Sequence, residues 1–359
     1  MQGGRACGLI PLVLPAPPAP RNLASADPPF PFMWLHRYAV IVAASAILLI
    51  VAGGLVTSTA SGLSVPDWPT TYGWPMFTFP LDKMVGGIFY EHSHRLIASS
   101  VGILTIGLAV WLWVAEPRRW LRRLGLVALV AVCAQGLLGG LTVLFFLPAP
   151  ISIAHAGLAQ IFFCIVVATA LFTSRSWQAV DAQRPVDDLR LRMLAASTCA
   201  AVYAQILLGA TMRHTDAGLA IPDFPLVFGG LLPPRWTAGI AIHYAHRVWA
   251  LLVASAILVT AVRVWTHHRA RRDLIRPVTL AVLLVMIQIV LGGLTVLSRR
   301  AVSMNTAHVV TGALVLATSL VIALRSWRIC IAGTMQSDVP ADLRLRTDVG
   351  TRTSVGAGA

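Results

Sequence analysis

The sequence predicts an all-α membrane protein, with eight transmembrane helices arranged as two tandem, same-orientation four-helix bundles. Three observations predict it. The 359 residues are 57% hydrophobic and only 12% charged, with a mean hydropathy of +0.76, far from the average of soluble domains. Apolar stretches of about 20 residues, enough to cross a hydrocarbon core of roughly 30 Å, recur eight times. The second half of the chain also repeats the first. Glu91-His92-Ser93-His94-Arg95 answers to His243-Tyr244-Ala245-His246-Arg247 at an offset of 152 residues, and His155 answers to His308 at 153.

The first four stretches run near Tyr38–Val56, Gly86–Val114, Leu124–Leu147 and Ile151–Phe172; the second four near Met193–Met212, Trp236–Trp265, Val278–Leu297 and Val302–Ala323. In lipid every backbone polar group must pair internally, so these stretches are helices. The third and seventh carry the longest repeated run. Gln135-Gly136-Leu137-Leu138-Gly139-Gly140-Leu141-Thr142-Val143-Leu144 matches Gln288-Ile289-Val290-Leu291-Gly292-Gly293-Leu294-Thr295-Val296-Leu297. The connection after the first stretch recurs as well: Gly62-Leu63-Ser64-Val65-Pro66-Asp67-Trp68-Pro69 matches Gly218-Leu219-Ala220-Ile221-Pro222-Asp223-Phe224-Pro225. Asp67 and Asp223, framed by prolines and an aromatic, read as turn-formers. Each repeat holds an even number of spans, so an axis along the membrane normal relates the copies, as in parallel repeats.

A formal net charge of +14 would point to nucleic acid in a soluble protein, but its distribution gives a membrane reason. Arg118, Arg119, Arg122 and Arg123 follow span two, Arg175, Arg184, Arg190 and Arg192 follow span four, Arg269, Arg271, Arg272 and Arg276 follow span six, and Arg325 and Arg328 follow span eight. The alternate connections hold little beyond Lys83, Arg213 and Arg235; Arg299 and Arg300 break the pattern. The positive-inside rule therefore puts both termini in the cytoplasm.

Residues 1–32 are rich in Pro and Ala without a clean apolar signal core, and read as a disordered or non-native extension. Residues 33–180 and 181–330 form the two repeats, and the polar residues 331–359 read as a disordered cytoplasmic tail. Cys133, Cys164 and Cys199 fall within spans and Cys7 and Cys330 outside them, with no CxxC pair; neither a zinc site nor a disulfide framework is supported.

The orientation places His94, His155, His246 and His308 at similar depth near the outer face, two per bundle. Ionisable groups inside spans are costly and point to function. Facing helices of a bundle are a usual place for side chains that hold a cofactor. Clustered Cys or carboxylate ligands for zinc or a di-iron centre are missing, whereas two facing imidazoles suit a haem, whose porphyrin supplies four further ligands. Gly139-Gly140 and Gly292-Gly293 admit either a flat macrocycle or an ordinary close helix. Glu91 lies one turn before His94 on the same face; it either moves protons at the haem or pairs with an arginine such as Arg95. Its counterpart is His243, a polar haem neighbour rather than a ligand. Arg95 and Arg247 follow the ligand histidines directly and suit either haem propionates or anchoring at the interface.

These motifs, in this order, resemble the haem A synthase family of bacteria and mitochondria. The likeness rests on Gly62 to Trp68, Glu91-x-x-His94-Arg95, Ala154-His155-Ala156, His243-x-x-His246-Arg247 and His308, and covers roughly residues 38–325. It implies oxidation of a methyl group of haem O to a formyl group, giving haem A for terminal oxidases. His94 and His155 would bind the substrate haem, Glu91 would serve the chemistry, and His246 and His308 would ligate a haem B iron. Some family members carry a cysteine pair in the first outer loop; residues 57–85 here contain none, as in a cysteine-free branch. The resemblance also implies a bacterial cytoplasmic membrane, with haem O synthase and oxidase assembly factors as partners by pathway. A non-catalytic di-haem b-type cytochrome and a haem carrier remain the alternatives, and the oligomeric state is not legible.

Overall fold

The computed structural model describes residues 30–178 and 188–337, with side chains from 33 to 328 within those limits. The long helices are α1 (Phe30–Ser58), α2 (Gly86–Ala115), α3 (Arg119–Leu144) and α4 (Ala149–Thr173), then, after the short α5 (Arg175–Gln178), α6 (Leu189–His214), α7 (Ala238–His267), α8 (Arg272–Leu297) and α9 (Val302–Ser337). Every long helix meets the length and apolarity of a membrane span. The protein is multi-pass, as expected. Helix α1 starts before residue 33 and α9 runs past residue 330. Cys7, Arg184 and the disorder expected of residues 1–29 and 338–359 lie outside the described residues, as does the junction at 179–187; the side chain of Cys330 does too.

Three of the eight long helices start before their apolar stretches because arginines occupy their opening residues: Arg119, Arg122 and Arg123 in α3, Arg190 and Arg192 in α6, Arg272 and Arg276 in α8. At its other end the third span stops short of its apolar run. It stops at Leu144, where Phe146 and Leu147 turn left-handed and their N–H groups return to Val143 O and Thr142 O at 3.1 and 2.7 Å. Helix α8 ends identically, with Arg299 and Arg300 left-handed and bonded to Val296 O and Thr295 O at 3.0 and 2.7 Å. Both turns satisfy carbonyls that a helix end leaves open. Side-chain caps start two helices: Asp188 accepts from Leu191 N at 3.0 Å, and Thr237 from Ile240 N at 3.3 Å, a common N-cap choice.

Helix α1 packs against α2 and α4, α3 joins α2 to α4, and the same neighbour pattern links α6, α7, α8 and α9. Helices α1, α4, α6 and α9 meet along a seam between these groups. Half of the most apolar window is buried in α4 and in α9, against a third or less elsewhere. Small residues close the seam: a Cβ on Gly54 would fall 3.1 Å from Thr306 Cγ2. The peripheral helices turn residues such as Ile103, Val110, Val130 and Leu251 outward, the surface a protein presents to lipid.

Acids hold basic side chains at the end opposite the long loops. Glu116 receives Arg118 through bonds of 2.6 and 3.0 Å. Asp188 receives Arg263 at 3.0 and 3.1 Å and His268 at 2.7 Å. Burial works to raise the Asp188 pKa, but these bonds outweigh it and hold the carboxyl well below its ordinary range.

Candidate functional site

Each of the four histidines rests on a glycine of the preceding helix. A Cβ built on Gly53 of α1 would fall 3.2 Å from His94 Cε1; on Gly139 of α3, 3.1 Å from His155 Cε1; on Gly209 of α6, 3.0 Å from His246 Cε1; and on Gly292 of α8, 3.1 Å from His308 Cε1. Carbon pairs ordinarily settle at about 3.5–4.0 Å, so no other residue fits beneath these rings without moving them. All four side chains are half-buried. Within each half the two imidazoles lie near enough for a charge on one to act on the other, His94 with His155 and His246 with His308.

The paired glycines divide their task. Gly139 and Gly292 receive histidine rings, while Gly140 and Gly293 receive the loop aromatics: Cβ atoms there would fall 2.5 Å from Trp68 and 2.7 Å from Phe224. The glycine runs thus bring a ligand ring and a loop ring against one helix.

Three glutamines accompany the histidines. Gln135 Nε2 donates to His155 O at 3.0 Å and lies 3.3 Å from its Nε2. Gln205 Nε2 donates to His246 O at 2.9 Å and lies 3.2 Å from both ring nitrogens. Gln288 Nε2 is 3.3 Å from His308 Nε2. The matching place four residues before Gly53 is Leu49, so His94 is the imidazole without a glutamine.

Arg95 and Arg247 hold the loops. Arg95 donates to Val65 O at 2.9 Å, Asp67 O at 2.7 Å and Thr70 O at 2.9 Å. Arg247 donates to the equivalent carbonyls, Ile221 O at 3.1 Å, Asp223 O at 2.7 Å and Leu226 O at 2.9 Å. Both guanidiniums thus anchor backbone carbonyls of the loops. Glu91 and His243 also serve equivalent bonds: Val65 N donates to Glu91 Oε2 at 2.8 Å, and Ile221 N to His243 Nδ1 at 3.3 Å. The first half alone adds the ion pair between Glu91 Oε1 and Arg95 Nη2, at 2.7 Å. Both groups are nearly sealed, with exposures of 3% for Glu91 and 2% for His243. His92, left out of the ligand set, faces the loop and bonds Thr71 Oγ1 at 3.0 Å.

The loops are built alike. Asp67 accepts from Thr70 Oγ1, Tyr72 N and Gly73 N at 2.5, 2.7 and 2.9 Å; Asp223 accepts from Phe228 N and Gly229 N at 2.9 and 2.8 Å. Burial would raise the Asp67 pKa, but those donors outweigh it and lower the value; at Asp223 the Gly229 N–H leads the lowering. Both aspartates are turn-formers, and a side chain oxygen that collects successive N–H groups is the usual way to build such a turn.

The donor set fits a haem. Among the described residues no three His, Cys, Asp or Glu side chains converge as metal ligands. The imidazoles come in twos, which suits an iron that brings its equatorial ligands with it. Nδ1 of His94, His155 and His308 is shielded and has no hydrogen-bond partner among the described residues. A buried polar atom left so is costly unless another partner completes it.

Residues 36–320 match COX15-CtaA, the cytochrome oxidase assembly protein family. Among curated proteins, the chain is 32% identical to a haem A synthase of Shouchella clausii over 272 residues, 74% of this chain and 88% of that protein. It is 28% identical to a haem A synthase of Alkalihalophilus pseudofirmus over 76% of this chain and 91% of that protein. A haem A synthase of Halalkalibacterium halodurans is also 28% identical, over 72% of this chain and 87% of that protein.

Proposed function

This chain belongs to the COX15-CtaA family of cytochrome oxidase assembly proteins, and from that premise we propose that it is a haem A synthase, oxidising a methyl group of haem O to the formyl group of haem A. The observation that carries the reading is the duplicated pair of glycine-backed imidazoles. In each half they approach from two helices beneath an anchored loop. A porphyrin substrate beside a porphyrin cofactor explains why the site occurs twice.

His94 and His155 hold the substrate haem, and His246 and His308 hold a haem B. Bound haem supplies the iron chemistry needed to remove hydrogen from an unactivated methyl group, which side chains lack. The chain's own residues orient and shield. Histidines seated on glycine would hold the porphyrin, and the arginine-anchored loops would cover that end and limit water. Glu91 is the acid one turn from His94, held by Val65 N and Arg95; its carboxylate would serve the oxidation by holding or moving a proton. His243 occupies the equivalent place in the cofactor half, where no proton has to leave.

The arginine bias between connections supports an orientation with both termini in the cytoplasm, the haem sites near the outer face, and residence in the bacterial cytoplasmic membrane. Haem O synthase and oxidase assembly factors are the partners this role calls for. The alternatives, a di-haem electron carrier or a haem chaperone, give the buried acid of the first half a loop-holding role alone. The test is to express the protein in cells that make haem O but no haem A, and to separate the extracted haems by chromatography and mass. Formyl-bearing haem supports the synthase. Unchanged haem O beside folded, haem-loaded protein refutes it.

A further inference from the structure

Arg299 and Arg300 break the charge pattern of the connections, and the anchoring of Arg95 and Arg247 leaves the acidic side arms of a porphyrin without the partners first expected for them. We propose that Arg213, His214 and Arg300 form an anion site on the seam between the two halves, and that it binds the propionate carboxylates of the haem held by His94 and His155. The proposal rests on the haem reading above.

Four observations carry it. First, the cluster sits in the right place. Arg213, in the last turn of α6, reaches across to Ser58 Oγ of α1 at 3.4 Å, and Asn305 Nδ2 meets the same oxygen at 2.9 Å. His214 lies near enough to His155 for its charge to act there, and Arg300 likewise acts on Arg213. Arg300 is also placed by packing, with Cδ 3.7 Å from a Cβ built on Gly218.

Second, the cluster lacks compensation. Among the described residues no carboxylate pairs with Arg213 or Arg300; Asp216, beside His214, is the acid in reach, and two guanidiniums outweigh it. Arg213 is half-buried and Arg300 exposed at its side; a half-buried cation without a counter-charge is costly beside a membrane, and a bound anion removes that cost.

Third, the cluster occurs once. The repeat places Thr57, Ser58 and Leu147 where the second half has Arg213, His214 and Arg300, so the site is not a by-product of duplication. Fourth, the first half's own arginine is engaged: Arg95 makes four hydrogen bonds to the loop and Glu91. Guanidinium forks match carboxylates in two-point contacts. The second half thereby supplies the side-arm contacts for a ring ligated in the first.

The test uses the full chain in lipid nanodiscs, with its retained haem in place. Protohaem IX and its dimethyl ester, the same ring with uncharged side arms, are titrated and followed by the Soret band. The wild type should prefer the acid over the ester by about tenfold to a hundredfold, the range of a charge-assisted hydrogen bond. Arg213→Gln and Arg300→Gln should each reduce that preference while leaving ester affinity unchanged, and Arg213→Lys, which keeps the charge without the fork, should retain only part of it. The spectrum of the retained haem reports that each variant is folded. An undiminished preference in both glutamine variants overturns the proposal, as does a weakening confined to the retained haem. A wild type that binds neither porphyrin overturns it together with the haem reading. Intact discrimination in a protein that makes no haem A supports the anion site and removes only the synthase reading.

Discussion

Replacing Gly209 by valine tests the role of the glycine seats. The Cβ alone would stand 3.0 Å from His246 Cε1, so an alanine requires about 0.5 Å of movement to reach an ordinary carbon contact. Overpacking of that kind costs about 1–3 kcal/mol, partly offset by the roughly 1 kcal/mol that Ala gains over Gly inside a helix. Valine keeps less of that compensation and points a methyl at the ring, displacing it by about 1 Å or more on the same contact distances. Metal–ligand distances tolerate only about 0.2 Å. Gly209→Ala should therefore fold normally and bind the second-half haem more weakly. Gly209→Val should fold yet lose the low-spin, two-imidazole signature of that haem in optical and electron paramagnetic resonance spectra, with the first-half site intact. Gly53→Val should show the converse. A Gly209→Val protein with an unchanged low-spin spectrum would refute the claim that glycine sets the ligand position.

Three further outcomes follow from the geometry. Glu91→Ala should abolish turnover while leaving the second-half haem spectrum unchanged; loss of both would make Glu91 a folding residue. Gln205→Leu removes the amide beside His246, so the retained haem should shift its midpoint potential without leaving the protein, a change that redox titration reads. The Asp188 carboxyl is held below its ordinary value of 3.8 by Arg263, His268 and Leu191 N against the opposing effect of burial. Its contribution is thus fully present above that value and is lost as pH falls through the lower, folded one. Thermal unfolding in detergent should be insensitive to this group between pH 7 and 5 and weaken below the ordinary carboxylate value, and Asp188→Asn should flatten that acid limb.

The helices were legible because lipid leaves a chain few options: apolar runs of spanning length must be helical, and the repeat doubled every observation. The four histidines were legible for the same reason. Their seats were not. Gly53 heads the pair Gly53-Gly54 and Gly209 stands alone before Ala210, so the two do not repeat as a matched run; their shared register, four residues after Leu49 and Gln205, distinguishes them from ordinary small-residue packing. Gln135 and Gln288 stood in the repeated run without a role, although a polar side chain repeated inside two spans was itself a signal. Arg95 and Arg247 show the other limit. Spacing places Arg95 on the face of Glu91, but which acceptors fill a guanidinium depends on where a loop some 25 to 30 residues earlier folds back. The end of α3 was overrun because Phe145 to Leu147 remain apolar after the helical hydrogen bonds stop.

Haem stoichiometry in single histidine variants tests the account most directly. Purified wild type saturated with haem should hold two per chain. His246→Ala and His308→Ala should each lose the same, tightly retained haem, and His94→Ala and His155→Ala the same exchangeable one. A variant pair that splits, so that His94 and His155 answer to different haems, would contradict the pairing on which the whole account stands.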